Sequence, residues 1–170
     1  MKTACFTGHR PQHLAGYDEE HPMTIYIKQR LHDEILAAIE NGYTDFIFGG
    51  ALGVDTWAGE IVADLRDKLY FGKIRLILYS PFEGQESKWN DESKLRYFNL
   101  MSRCDDIVTV CEDGYAPWKL LKRDDAMVDN SSLLIAVWNG KESGGTYHTI
   151  YYAKKRNVET VRIDPNLYVA

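Results

Sequence analysis

The stretch Phe46-Ile47-Phe48-Gly49-Gly50-Ala51-Leu52-Gly53-Val54-Asp55-Thr56-Trp57-Ala58-Gly59-Glu60 decides how the chain is read. A short apolar run stops at Gly49-Gly50, turns through Ala51-Leu52-Gly53, and gives way to helical spacing. Val54, Trp57, Ala58, Ile61, Val62 and Leu65 recur at steps of three and four, the pattern of one buried helix face. A strand, a glycine-rich turn and a helix N-terminus together form a common seat for phosphate or another anion. The glycines permit close ligand approach, and the helix end presents unpaired N–H groups. The stretch reads as the floor of a nucleotide-type site.

The same alternation extends in both directions. Upstream, Thr3–Thr7 is a short apolar strand that runs into Gly8-His9-Arg10-Pro11. After a polar loop, Met23–Asn41 carries Ile27, Leu31, Ile35, Leu36 and Ile39 as a helical stripe that Gly42 ends, and Asp45–Phe48 is the next strand. Downstream, the helix runs to about Leu69, and Ile74–Tyr79 is a nearly continuous apolar strand of the kind covered on both faces. A helix over about Glu92–Arg103, a strand at Ile107–Cys111 and a helical segment from Pro117 to about Asp129 follow. Leu133–Trp138 is another strand, then comes a second glycine-rich turn, a helix to about Arg156, and a last strand at Glu159–Ile163. Strand and helix alternate without repeat or linker. That pattern predicts a single domain over residues 1–170, a doubly wound, mostly parallel α/β sheet. Right-handed crossovers place helices on both faces.

Composition sets the outer limits. The chain has 170 residues, 45% of them apolar and 26% charged, as in an ordinary globular domain. A net charge of -5 argues against a general nucleic-acid binder. Cys5, Cys104 and Cys111 have no metal-type spacing and read as reduced thiols. No run approaches the length of a membrane helix and no signal-peptide pattern opens the chain, so a cytoplasmic location is expected, with no membrane partner.

In doubly wound sheets ligands sit beyond the carboxyl ends of the strands, where the strand order reverses. Three loops leave strand ends with suitable chemistry: Thr7-Gly8-His9-Arg10, Gly49-Gly50-Ala51-Leu52-Gly53-Val54-Asp55, and Ser143-Gly144-Gly145-Thr146. Two are glycine-rich helix starts, and the first brings a guanidinium able to grip phosphate bidentately. The Gly-x-x-x-x-Gly-Lys-Ser/Thr, Gly-x-Gly-x-x-Gly and Gly-x-Ser-x-Gly patterns are all absent, which argues against a P-loop NTPase, a standard NAD-dependent dehydrogenase and a serine hydrolase. His9 and His13 are four apart, but Pro11 between them argues against a helix offering both to a metal. No metal site and no required cofactor is expected.

These motifs together resemble a family. Thr7-Gly8-His9-Arg10-Pro11, the run from Gly49 to Ala58, the segment Arg123–Asp129 and Ser143-Gly144-Gly145-Thr146 are similar, in order and spacing, to the YpsA-like branch of the SLOG superfamily. That superfamily also holds the DNA-processing protein DprA and the LOG phosphoribohydrolases. The resemblance covers nearly the whole chain. It implies a Rossmann-like fold, a nucleotide or nucleotide-sugar ligand contacted by Arg123 as well as by the three loops, and often a homodimer. LOG enzymes carry Pro-Gly-Gly-x-Gly-Thr-x-x-Glu, whose glutamate takes part in glycosidic cleavage; here Ser143-Gly144-Gly145-Thr146-Tyr147-His148 lacks it. DprA-type proteins place Arg-Asn before the penultimate strand, whereas Arg123 here is followed by Asp124, a carboxylate that works against phosphate-backbone contact.

Individual residues carry two readings each. Gly49, Gly50 and Gly53 either contact ligand with Ala51 and Val54 or only shape the turn. Asp55 is either a cap or first-turn carboxylate, or an acceptor for ribose hydroxyls, since its charge repels phosphate. Gly59 within the helix suggests tight packing on the sheet, and Trp57 belongs to the core. Arg10 is expected on phosphate and His9 in a loop hydrogen bond. Gly144, Gly145 and Thr146 bind phosphate or form an ordinary cap with the Thr146 hydroxyl. Asp55 and Glu60 are the only motif-borne candidates for catalysis. Lys119, Lys122 and Arg123, like Lys154, Lys155 and Arg156, read most simply as solvated helix faces. The leading expectation is a binder of an ADP-ribose- or NAD-like ligand acting as a sensor or regulator. The alternatives are a phosphoribohydrolase or other N-glycosidase acting on nucleoside monophosphates, and a single-stranded-DNA binder of DprA type.

Overall fold

The computed structural model describes residues 1–169. Six strands form one sheet: β1 (Lys2–Gly8), β2 (Tyr43–Phe48), β3 (Arg75–Ser80), β4 (Asp106–Thr109), β5 (Leu133–Val137) and β6 (Glu159–Ile163). Their order is β4-β3-β2-β1-β5-β6, and all five pairings are parallel. The sheet is therefore wholly rather than mostly parallel. Five helices complete the alternation: α1 (Pro22–Glu40), α2 (Val54–Lys68), α3 (Asp91–Ser102), α4 (Pro117–Asp129) and α5 (Gly144–Lys155). The doubly wound, Rossmann-like architecture expected from the sequence is the one observed.

Alternation along each strand supplies the two layers, because successive side chains leave opposite faces. Cys5, Ile47, Ile77, Leu134 and Ala136 point to one face and are covered by Met127 and Val128 of α4 and Ala153 of α5. Phe6, Phe46, Phe48, Leu76, Leu78 and Ile135 point to the other, against α1 (Ile27, Leu31, Ile35), α2 (Trp57, Ala58, Val62) and α3 (Tyr97, Leu100). A Cβ on Gly59 would stand 3.0 Å from Leu100 Cδ2 and from two ring atoms of Phe48, so glycine there lets α2 lie close on the sheet.

The fourth strand stops at Thr109, two residues short of the expected Cys111. It lies at the sheet edge and pairs with β3 alone. Beyond Thr109 only single hydrogen bonds persist, from Val110 N–H to Ser80 O and from Cys111 N–H to Pro81 O.

From β1 the chain winds outward through β2 and β3 to β4. It then crosses back so that β5 pairs with the free side of β1. This reversal places the switch point, where such sheets bind ligands, at the carboxyl ends of β1 and its two neighbours.

Candidate functional site

The three loops singled out in the sequence leave the adjacent strands β2, β1 and β5, and the fold therefore brings them together. Thr7 is buried at the end of β1, opposite Ala136 of β5. The first and third loops are joined directly, since the Asn139 N–H donates to His9 Nε2 at 3.1 Å. That bond requires a lone pair on Nε2. Burial, aided by the nearby His13, lowers the His9 pKa, so the imidazole is neutral at neutral pH. The first and second loops are packed without a gap. A Cβ on Gly8 would fall 2.5 Å from Val54 Cβ. One on Gly53, whose φ is 90°, would fall 3.0 Å from Pro11 Cδ.

The underside of the second loop holds a buried charge cluster. Arg123, read from its helix as a solvated residue and from the family resemblance as a ligand contact, is 3% exposed. It reaches inward from α4, where Nη1 donates to the Gly49 carbonyl and Nε to Asp124 Oδ1 at 2.6 Å. The exposed side of α4 belongs instead to Trp118 and Lys122, one turn apart. Lys119, also expected in solvent, donates to the carbonyls of Glu112, Asp113 and Gly114. Gln85 Nε2 donates to the same Gly49 carbonyl at 3.1 Å and to Tyr97 Oη at 3.2 Å. A Cβ on Gly49 would lie 2.7 Å from Arg123 Cζ and 2.8 Å from Asp55 Oδ2. Asp55 lies in the first turn of α2, with Gly53 in the capping position. Burial pushes its pKa up to about 6, against the opposing pull of the Arg123 charge. A Cβ on Gly50 would meet Leu78 and Tyr97. The space left by the glycines of this loop is thus filled by the protein's own side chains. Only Ala51 and Leu52 remain partly exposed, and the turn is pinned by Thr56 Oγ1 donating to the Ala51 carbonyl at 2.9 Å.

The third loop is open. Ser143 occupies the capping position of α5 and makes no side-chain capping bond, and Thr146, a buried residue within the first turn, does not occupy the cap. A Cβ on Gly144 or Gly145 would meet nothing within 4 Å. The first-turn N–H groups of α5 therefore face open space at the positive end of the helix dipole. Arg10, partly exposed on the neighbouring loop, forms no salt bridge among the described residues.

The model of the YpsA family (YspA SLOG family) matches residues 4–165, a span that takes in all three loops and the Arg123 cluster. The chain belongs to the YpsA SLOG family. Its relatives include a UPF0398 protein of Bacillus cereus, 27% identical over 92% of this chain and 84% of the relative. Another, from Halalkalibacterium halodurans, is 30% identical over 92% of this chain and 82% of the relative. Among solved structures, DNA processing protein A of Helicobacter pylori, described for its single-stranded DNA binding mode, superposes with a TM-score of 0.63 at 20% identity, covering 96% of this chain and 65% of that one. DNA processing protein A of Streptococcus pneumoniae gives 0.61 at 13% identity, covering 96% and 50%. The chain thus spans less than two thirds of either neighbour, and at these identities the likeness concerns the fold.

Within this YpsA-family chain Glu60, one of the two catalytic candidates, is held in an ion pair. Glu60 makes a two-point ion pair with Arg96 of α3, at 2.6 and 3.1 Å, and Arg96 also grips Glu19. This pairing holds Glu60 on the α3 side of α2. A cavity of about 40 Å³, lined by Pro11, Leu52, Gly53, Trp57 and Arg96, is far below the roughly 300 Å³ of a small-molecule site. A wider groove, about 550 Å³, lies at the opposite end of the strands. Its Arg66 and Arg103 are already paired with Asp64, Asp67 and Asp105. No group of three His, Cys, Asp or Glu among the described residues could hold a metal, and no described helix is long and apolar enough to cross a membrane.

Two features escaped the sequence reading. The Gln85–Gly49 bond joins residues 36 apart and has no local signature. The other is an aromatic ladder at the edge of the third loop. Trp138 stacks on Tyr147 at 6.1 Å, and Tyr147 lies against Tyr151 at 6.3 Å. Arg162 covers the Trp138 ring and Lys155 the Tyr151 ring. Tyr147, Tyr151 and Lys155 recur at steps of four, a signal that was present in the sequence.

Proposed function

We propose that this YpsA-family domain binds a nucleotide or nucleotide-sugar of ADP-ribose or NAD type, and that it senses this ligand rather than transforming it. The carrying observation is the exposed, uncapped N-terminus of α5 at Gly144-Gly145, beside a first loop whose Arg10 makes no salt bridge among the described residues. Phosphate satisfies both groups at once. Asp55 and Arg123 then act from below, holding the shape of the second loop, while Ala51 and Leu52 form a wall. Hydrolysis of an N-glycosidic bond needs a free carboxylate near the ribose. Glu60 is held by Arg96 and Asp55 is buried, which favours binding over cleavage.

Calorimetry with AMP, ADP-ribose, NAD and inorganic phosphate tests the reading. At least one nucleotide should bind, and Gly145→Asp should abolish binding with the fold intact, because a carboxylate there repels phosphate. No binding by any of them at millimolar concentration overturns the proposal. Release of free base from nucleoside monophosphates would replace sensing by catalysis.

A second reading draws on the aromatic ladder. Rings flanked by Lys155 and Arg162 are the elements of a single-strand nucleic-acid track, and such a track outweighs the argument from net charge. The Helicobacter pylori protein of the same fold is described as binding single-stranded DNA, which makes this reading worth testing here. Its signature is oligonucleotide affinity that falls steeply with salt and is lost in Tyr151→Ala.

A further inference from the structure

Helix α4 carries its charges in the reverse of the favourable order. Lys119 and Lys122 lie in its first half and Asp124, Asp125 and Asp129 in its second, with no acidic residue in the first turn and no basic residue in the last. The helix dipole prefers the opposite arrangement. Three other helices follow the preference, with Asp55 opening α2, Asp91 and Glu92 opening α3, and Lys154 and Lys155 closing α5, while α1 ends on Glu40 without a basic residue in its last turn. The inversion on α4 therefore does not stabilise its own helix.

The outer stripe of α4 is also unusually apolar for a free surface. Trp118 is 57% exposed and Leu121 36%, and Tyr115 just before the helix is 66% exposed. Lys122 lies on the same stripe and meets only the Trp118 ring, with no salt bridge among the described residues. Asp125 and Asp129 lie further along it. They pair with His148 and with Tyr152 and Arg156, yet keep side-chain exposures of 31% and 43%. A carboxylate has room for a further donor.

We propose that α4 is a self-docking surface, on which a second copy of this chain packs with its own α4 antiparallel. A two-fold axis through the point between Arg123 and Asp124 places Lys122 against Asp125 of the second copy, and Asp125 against its Lys122. The same operation sets Leu121 against Ala126 and Trp118 beside Asp129. A helix basic in one half and acidic in the other is complementary to itself under that symmetry and under no parallel one. Trp118 supplies the aromatic anchor such interfaces favour. This inference is independent of the ligand.

Sedimentation velocity on the full chain decides the matter. The wild type should self-associate to twice the chain mass at micromolar concentration. Lys122→Asp makes both members of the facing 122/125 pair acidic and Asp125→Lys makes both basic, so each alone should weaken self-association on the order of tenfold or more. An equimolar mixture of the two should dimerise again, because every facing pair is then opposite in sign. Asp125→Lys also removes the partner of His148, so Trp118→Ser, a change on the exposed side of α4, is measured beside it and should likewise yield monomer. A monomeric wild type, a dimer that survives both Lys122→Asp and Trp118→Ser, or folded single variants whose mixture stays monomeric would each overturn the proposal.

Discussion

The second and third loops look alike in sequence, each a glycine pair after an apolar strand and before a helix. In the fold they are opposites. Around Gly49, Gly50 and Gly53 every missing Cβ is replaced by protein: Arg123 and Asp55, Leu78 and Tyr97, Pro11 and His9. Around Gly144 and Gly145 there is nothing. A glycine-rich turn reports only that something must come close. Whether that something is the protein's own arginine or a ligand depends on residues distant in sequence. The second loop is a frame, and the third is an opening.

The contrast can be broken most forcefully at Arg123. Arg123→Met leaves the buried Asp55 without its nearest opposing charge, Asp124 without its partner, and the Gly49 carbonyl with Gln85 alone. Removing one member of a buried charge cluster costs about 3–5 kcal/mol. Chemical denaturation should show a loss of that order. A change near zero would mean that the guanidinium does not hold the loop.

Next in size is Gly49→Ala. Its methyl group would enter space occupied by Arg123 and Asp55, and overpacking of this kind costs about 1–3 kcal/mol. Gly8→Ala, against Val54 on α2, should behave similarly. If either variant proves as stable as wild type, the frame is softer than its distances indicate.

The architecture was legible from sequence because every signal it needs is local. The strict alternation of elements and the continuous apolar runs of β3 and β5 specify a parallel sheet covered on both faces, and glycine marks the turns. The convergence of the three loops was legible for the same reason, since the loops of neighbouring strands must meet. The roles within it were not. Arg123 sits in a polar helix whose charges read as solvated, and only packing across 74 residues to Gly49 shows that it turns inward. Asp55 read either as a cap or first-turn carboxylate, the place it takes in α2, or as a ribose acceptor. What its position in the chain could not show was Arg123 beside it, which gives a carboxylate another reason to be there.

Asp55→Asn isolates that charge through pH. The folded-state pKa, about 6, lies above the ordinary aspartate value of about 3.9. Between these values the folded protein binds a proton that the unfolded chain does not, so Asp55 makes stability fall as pH rises through the window and leaves it level above. The asparagine variant lacks this contribution. Comparing melting midpoints at about pH 4.5 and about pH 7, wild type should lose ground to Asp55→Asn at the higher pH. Equal shifts in the two proteins would show that Asp55 ionises as if exposed.

The smallest effect is the sharpest test, because its sign reverses that of the second loop. Gly145 has ordinary helical geometry and nothing near its absent Cβ, so Gly145→Ala restricts the unfolded chain without any clash. Such a change stabilises by about 0.4–1 kcal/mol. Gly144, one residue earlier, has a φ of 89°, where a side chain is strained, and Gly144→Ala should lose stability instead. Two adjacent glycines with nothing near either should thus respond with opposite signs, for reasons of backbone geometry alone. Gly145→Ala should also weaken nucleotide binding while raising the melting midpoint, since the added methyl stands where phosphate approaches the α5 N–H groups. Stability gained at the expense of binding would mark the third loop as an opening kept for a ligand. If Gly145→Ala instead destabilised the free protein as Gly49→Ala does, the two loops would be frames alike, and the phosphate seat would have to lie elsewhere along the switch point.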